Sequence, residues 1–257
     1  MLELFHWEPV SHSARVLICL GEVGAEYRSH YVDALEFEHL AHEYLTLNPQ
    51  GLLPVLKADG VVLSESSLIN EFLAESFPEA KLKPADPTDA YNVQVWSKFV
   101  DYNLASSLAT LGCRRYLVPV LHRCDRATLE ARIESIPVPE RRAGWQRAAQ
   151  NDYDDALIDN AERKVRLVLG RMEETLAAGQ WLVGDHYSIA DINAFAMISG
   201  LMEAAPGIVN ADDAPHTAEW AGRIAERPAV RSVLDSPDLR RRTDPVFLPG
   251  PEHSRWG

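Results

Sequence analysis

The residues whose chemistry goes beyond packing gather in short clusters, Ser11-His12-Ser13 and Glu65-Ser66-Ser67, with His39 between them. Glu65, Ser66 and Ser67 stand where an apolar run hands over to a helical pattern. A helix N-terminus leaves N–H groups unpaired and carries partial positive charge, so it seats a carboxylate. A buried acidic side chain beside it, Glu65, can take an ammonium. One site for both signs suits the α-amino and α-carboxylate groups of an amino acid, although a helix simply capped by Ser66 accounts for the same residues. Ser13 falls in the first turn of another expected helix. A hydroxyl there can donate to a thiolate held at the positive helix end, and both effects lower the thiol pKa. Each unit of that shift corresponds to about 1.4 kcal/mol. Plain N-capping by Ser11 or Ser13 is the competing reading. His12 can reach a thiol or a substrate, whereas a histidine in an exposed turn often does neither.

These groups need a scaffold that turns two helix N-termini toward one place. Leu2–Trp7 alternates loosely and reads as a strand, and Ser13–Val23 as a helix ended by Gly24. Tyr27–Val32 is a second strand, so the pair is parallel with a right-handed crossover. Phe37–Thr46 reads as a second helix. Next come a strand at Pro54–Ala58, a tight Asp59-Gly60 turn, a strand at Val61–Leu63 and a helix from near Ser66. Pro54 precedes the ladder, where a missing N–H is tolerated and a cis peptide is accessible. The order βαβ–α–ββα is the thioredoxin-like layout, a mixed four-stranded sheet with helices on both faces.

Phe77–Pro87 lacks periodicity and reads as a linker, after which the strands disappear. Thr88 is placed to cap a long helix with Tyr91, Val95, Trp96, Phe99, Val100 and Asn103 on one apolar face. Arg114–Asn151 reads as extra structure inserted before a helix at Tyr153–Leu176. Ser188 to Asp191 forms a capping box, flanked by Tyr187 and Ile192 as a hydrophobic staple, and starts an apolar helix over Ile189–Leu201. Helices at Ala214–Glu226 and Pro228–Leu234 close the domain, and an extended tail follows from Ser236. The division expected is therefore a sheet domain at 1–77, a linker at 78–87 and an all-helical domain at 88–257 with an insert near 114–151.

Asn48-Pro49-x-Gly51-x-x-Pro54-x-Leu56, the Asp-Gly hairpin and Glu65-Ser66-x-x-Ile69 together resemble the glutathione-binding half of glutathione transferases. The resemblance implies that fold, with glutathione as cosubstrate. It implies Ser13 as the catalytic hydroxyl, as in theta-like and bacterial members, with His12 beside it. Leu53 lends its backbone to the cysteinyl unit beside Pro54, and Glu65 and Ser66 hold the γ-glutamyl end. His39, in the pattern Phe37-Glu38-His39-Leu40, matches a histidine that approaches the glycyl carboxylate. The chain departs from the pattern at Leu52, where relatives carry lysine or glutamine, leaving Gln50 or His42 as substitutes. Asp101 matches an aspartate that reaches the partner subunit's glutathione in theta-like dimers, although a solvated helix face also suits it.

Val95-Trp96-x-Lys98-x-Val100-Asp101, Thr110-x-Gly112, Ile136-Pro-Val-Pro-Glu140 and Trp145 are similar to the bacterial β-etherases that open lignin-derived β-aryl ethers. That likeness implies a small aromatic ether as substrate and a homodimer. Trp7, Tyr116 and Trp145 are the candidates to stack on the aryl groups, and Tyr116 and Trp145 suit a core equally well. A generic conjugating or dehalogenating transferase, or a noncatalytic binder of apolar ligands, are the rivals.

Composition narrows the class. The 257 residues are 46% hydrophobic and 25% charged, an ordinary soluble globule. A net charge of −13 argues against nucleic acid or anionic membrane as partners. Glutathione is itself anionic, so its site must create positive potential locally. Cys19, Cys113 and Cys124 lack metal or redox spacing and read as reduced thiols of a cytoplasmic protein. No metal is expected, and neither a signal peptide nor a membrane span is legible.

Overall fold

The computed structural model describes residues 1–9 and 11–239. Strand β1 (Leu2–His6), helix α1 (Ser11–Val23) and strand β2 (Tyr27–Tyr31) form the crossover unit, with β1 and β2 parallel from Leu2 opposite Tyr27 to His6 opposite Tyr31. β3 (Val55–Ala58) runs antiparallel to β1, and β4 (Val61–Leu63) antiparallel to β3. The four-stranded sheet has the order β2-β1-β3-β4, as the thioredoxin-like layout requires. Asp59 (φ 48°) and Gly60 (φ 89°) both adopt left-handed backbone at the hairpin turn, the pairing that matches strand twist.

The stretch 37–46 departs from the continuous helix expected of it. A single 3₁₀ turn at Glu38–Leu40 and a short α2 (His42–Leu47) are separated by the extended Ala41. The break turns His39 and Leu40 inward, where both are buried. Phe37 takes φ 62° ahead of it, and the Glu38 carboxylate accepts from the Asp33 backbone N–H at 2.7 Å. Gly51 (φ 61°) lets the following turn lie against this one, since a Cβ there would sit 2.6 Å from Leu40 Cδ2 and 3.1 Å from the His39 carbonyl.

Helix α3 (Ser66–Ser76) and α1 pack together, and α1 also meets the second domain. Its run Ala14–Leu20 is buried on every side, as expected of a helix apolar all round that sits between two layers. On the other side are α10 (Ile189–Ala204) and α12 (Pro228–Leu234). The second domain begins at α4 (Pro87–Val100), capped by Asp86, which accepts from the Thr88 and Asp89 N–H groups, rather than by Thr88. Its buried face is Val93, Trp96, Ser97 and Val100; Tyr91 is exposed. Wide π-turns at Asp101–Ala105 and Cys113–Leu117 carry the chain through α5 (Ser106–Gly112) into α6 (Val118–Leu121). The expected insert thus starts inside a helix already under way. The stretch goes on through α7 (Arg126–Glu134) and α8 (Pro139–Gln150), which pack on each other, with α8 folded back on α6.

Helices α9 (Asp155–Leu176) and α11 (Pro215–Ala225) complete the bundle around α10. The capping box at Ser188 is formed. Asp191 also accepts from Leu182 N at 3.0 Å and from Trp220 Nε1 at 2.9 Å, so one carboxylate ties three elements together. Burial pushes its pKa up to about 6 against the pull of those donors. The tail expected from Ser236 lies beyond Leu239, outside the described residues, apart from its first positions.

Candidate active site

A cavity of 640 Å³ opens between the domains, a size suited to a small-molecule site. One wall comes from the sheet domain: Trp7, Ser11, His12, Ser13, His39, Gly51 to Pro54, Glu65 and Ser66. The other comes from α5 and α8, with Ser106, Thr110, Cys113, Arg141, Trp145 and Arg147, together with Tyr153. Nine of the eleven residues singled out as the site meet here. Tyr116 does not: it is buried in the core, while Cys113 and Leu117 at the two ends of the same π-turn line the cavity. Asp101 also lies outside the lining.

Ser13 is buried, and its Oγ accepts from the Trp7 backbone N–H at 3.3 Å. The oxygen is held by that contact, and its own proton is left to donate. Ser11 beside it is in left-handed backbone (φ 47°), also lines the cavity, and bends the chain into α1. His12 Nδ1 lies 3.2 Å from Ser66 Oγ. Burial, reinforced by the Arg15 charge, lowers the His12 pKa to about 3. An imidazole neutral down to that pH is a weak base, so its contribution is the contact with Ser66.

Arg15 was not among the expected residues. Its guanidinium is buried, donates to Ser66 Oγ at 3.2 Å and to the Asn193 carbonyl at 2.9 Å, and forms an ion pair with Asp101. Asp101 in turn accepts from Ser67 Oγ at 2.7 Å. The aspartate is the counter-ion of Arg15 within its own chain, with its side chain still partly exposed. Asn70 and Asn193 extend the network, joined at 2.8 Å across the domain boundary. The sequence signal was a lone arginine in the apolar run Ala14–Leu20. A buried cation of that kind is kept only when paired.

The Leu53–Pro54 bond is cis, and both residues line the cavity. Glu65 is exposed rather than buried, and its backbone is strained at φ 67°, a conformation that costs on the order of 1–3 kcal/mol and gathers at functional sites. It hands the chain into α3, so Ser66 stands at the helix N-terminus with its side chain buried.

On the opposite rim His39 is buried against Trp145, with ring centroids 6.3 Å apart, and Phe37 packs on the same indole at 4.5 Å. Burial lowers the His39 pKa to about 4, helped by the charge of Arg141 and opposed by Asp33. Gln50 and His42, the substitutes for a polar residue at position 52, are exposed and outside the lining. Farther along the wall, Cys113 and Tyr153 are hydrogen-bonded to each other; burial pushes the Cys113 thiol up to about 12, so it stays protonated. Among the described residues no cluster of His, Cys, Asp and Glu suited to a metal is found, and no helix is long and apolar enough to cross a membrane.

Comparisons with known proteins agree with this architecture. Residues 11–76 match the family described as "Glutathione S-transferase, N-terminal domain", and residues 136–228 match "Glutathione S-transferase, C-terminal domain". Protein LigF of Sphingobium sp. is 34% identical over 242 residues, 91% of this chain and 93% of that protein. A crystal structure of beta-etherase LigF superposes with a TM-score of 0.84 at 33% identity, covering 91% of this chain and 98% of the other. A glutathione transferase of Burkholderia graminis, crystallised with two glutathione molecules per subunit, gives a TM-score of 0.69 at 26% identity over 92% and 88% of the two chains.

Proposed function

Because this chain belongs to the glutathione S-transferase family, we propose that it uses glutathione to cleave β-aryl ethers. The observation that carries the chemistry is Ser13: a buried hydroxyl at the cavity wall, its oxygen held by the Trp7 N–H and its proton free to donate. A thiolate seated there receives that hydrogen bond beside the N-terminus of α1, and both favour the charged form at neutral pH. The γ-glutamyl end belongs at Ser66 and Glu65, at the N-terminus of α3. The cysteinyl unit pairs with the Leu53 backbone, and the glycyl end reaches toward His39.

The ether reading rests on the likeness to beta-etherase LigF over nearly the whole of both chains. The thiolate attacks the carbon that bears the aryloxy group and adjoins a ketone. A C–S bond forms as the C–O bond breaks, and the electron pair leaves on the phenolate. The enzyme contributes position and thiolate. Trp7 and Trp145, both in the lining, offer faces for the aryl groups.

A homodimer suits the exposed apolar side chains Leu68 and Phe72, one turn apart on α3, with Tyr91 and Tyr102 nearby in sequence on the α4 stretch. The free Cys19, Cys113 and Cys124 fit a reducing cytoplasm. The test is to supply each enantiomer of a phenacyl aryl ether with excess glutathione, beside a haloalkane control. One phenol and one inverted glutathione thioether per turnover are expected. Release of no phenol from either enantiomer overturns the ether assignment.

A further inference from the structure

We propose that Arg141 binds the glycyl carboxylate of glutathione, so that the helical domain supplies the cation that the sheet domain lacks at position 52. The inference rests on glutathione being the thiol substrate. The sheet-domain wall is short of charge at this end. Leu52 is apolar, Gln50 and His42 are exposed outside the lining, and His39 is buried and neutral. His39 Nδ1 has no partner. Nothing on that wall offers a positive charge to a carboxylate.

Arg141 stands across from it. Arg141 and Trp145 are four residues apart on α8 and so share a helix face, and the Trp145 ring is tilted beside the His39 ring, with centroids 6.3 Å apart. Arg141 lines the same cavity, and its charge acts on His39 and, more weakly, on His12. Its Nε is buried without a hydrogen-bond partner, and no ion pair or hydrogen bond engages the guanidinium among the described residues. A guanidinium with a buried, unsatisfied donor beside a neutral histidine is a carboxylate site awaiting its anion. Of the other cations near the cavity, Arg15 is paired with Asp101, and Arg147, nearly two turns on, acts on Tyr153, whereas the charge acting on His39 is that of Arg141.

Calorimetry of wild type, R141K and R141Q tests this with two ligands: glutathione and its glycine monoethyl ester. The ester keeps the thiol and the γ-glutamyl end and removes only the charge in question. R141Q is expected to weaken glutathione binding by about 10- to 100-fold, the loss typical of a hydrogen-bonded charge pair. R141K should fall between it and wild type, since a point charge replaces a planar fork. The ester should bind wild type and R141Q within about twofold of each other. An equal loss for both ligands, or no loss for glutathione while the thermal melt is unchanged, overturns the assignment. If wild type binds neither ligand, the glutathione reading itself fails, a result distinct from either.

Discussion

Replacing Ser13 by alanine removes one hydroxyl whose two roles can be separated. Its structural role is to accept the Trp7 backbone N–H at 3.3 Å, a long and therefore weak bond. Losing that bond costs on the order of 1 kcal/mol, which a domain of this size survives. Its proposed chemical role is to donate to the thiolate. A hydrogen bond to a charged group contributes about 1.5–3 kcal/mol, which at about 1.4 kcal/mol per unit is a rise of roughly 1–2 units in the bound thiol pKa when it is lost. The N-termini of α1 and the nearby backbone donors remain, so the thiol should still titrate below free glutathione. The assay is thiolate absorbance against pH in the glutathione complex, followed by the pH dependence of kcat/KM. The alkaline-rising limb should move up by the same roughly 1–2 units in both, and activity should return at high pH. An unmoved limb with an intact melt refutes the role of Ser13. His12 cannot inherit it as a base, because its pKa near 3 leaves it too weak to take the thiol proton at neutral pH.

Three further outcomes follow from the same geometry. Ser66→Ala should weaken glutathione binding by about 10- to 100-fold in calorimetry, since a hydrogen bond to the γ-glutamyl carboxylate is lost, while Arg15 keeps Asp101 and the fold; an unchanged affinity removes Ser66 from the site. His39, neutral in the fold down to about pH 4 against an ordinary value of 6.5, means that the unfolded chain binds the extra proton between those values. Stability is then full above about pH 6.5 and falls toward pH 4, and His39→Gln should flatten that fall by about 3 kcal/mol in denaturant titrations at the two ends; parallel curves for both proteins refute it. The protein should sediment as a dimer at micromolar concentration, and Leu68→Glu with Phe72→Glu should shift it to monomer; a monomeric wild type removes the dimer.

What was legible in the chain was what the backbone itself must do locally. Asp59-Gly60 needs two left-handed residues in succession, Pro54 fits ahead of a ladder, and Ser188 with Asp191 satisfies orphan donors within one turn. Each of these is chemistry over a few residues, and each is formed. The misreadings share the opposite character. Phe37–Thr46 has helical spacing, yet the need to bury both His39 and Leu40 beneath the Gly51 turn outweighs that spacing and splits it. Tyr116 has the chemistry to stack on an aryl group, and only the path of the helix through its π-turn decides that it packs inward.

Arg15 and Arg141 make the same point from the side of charge. Both are single arginines with no motif around them, and their meaning comes entirely from what the fold brings near. Arg15 is enclosed by Ser66, Asp101 and Asn193, residues from three separate helical stretches, so its charge joins those stretches and holds the Ser66 hydroxyl in place. Arg141 arrives by way of α8 and meets no counter-ion among the described residues. A protein of net charge −13 must still hold an anionic tripeptide. With Arg15 ion-paired to Asp101 and with His12 and His39 held neutral by burial, the proposed attraction at the glycyl end falls to Arg141, whose charge acts on His39. If Arg141 is that cation, trimming α8 removes the attraction for the cosubstrate together with the Trp145 face of the cavity, so the two effects should appear together.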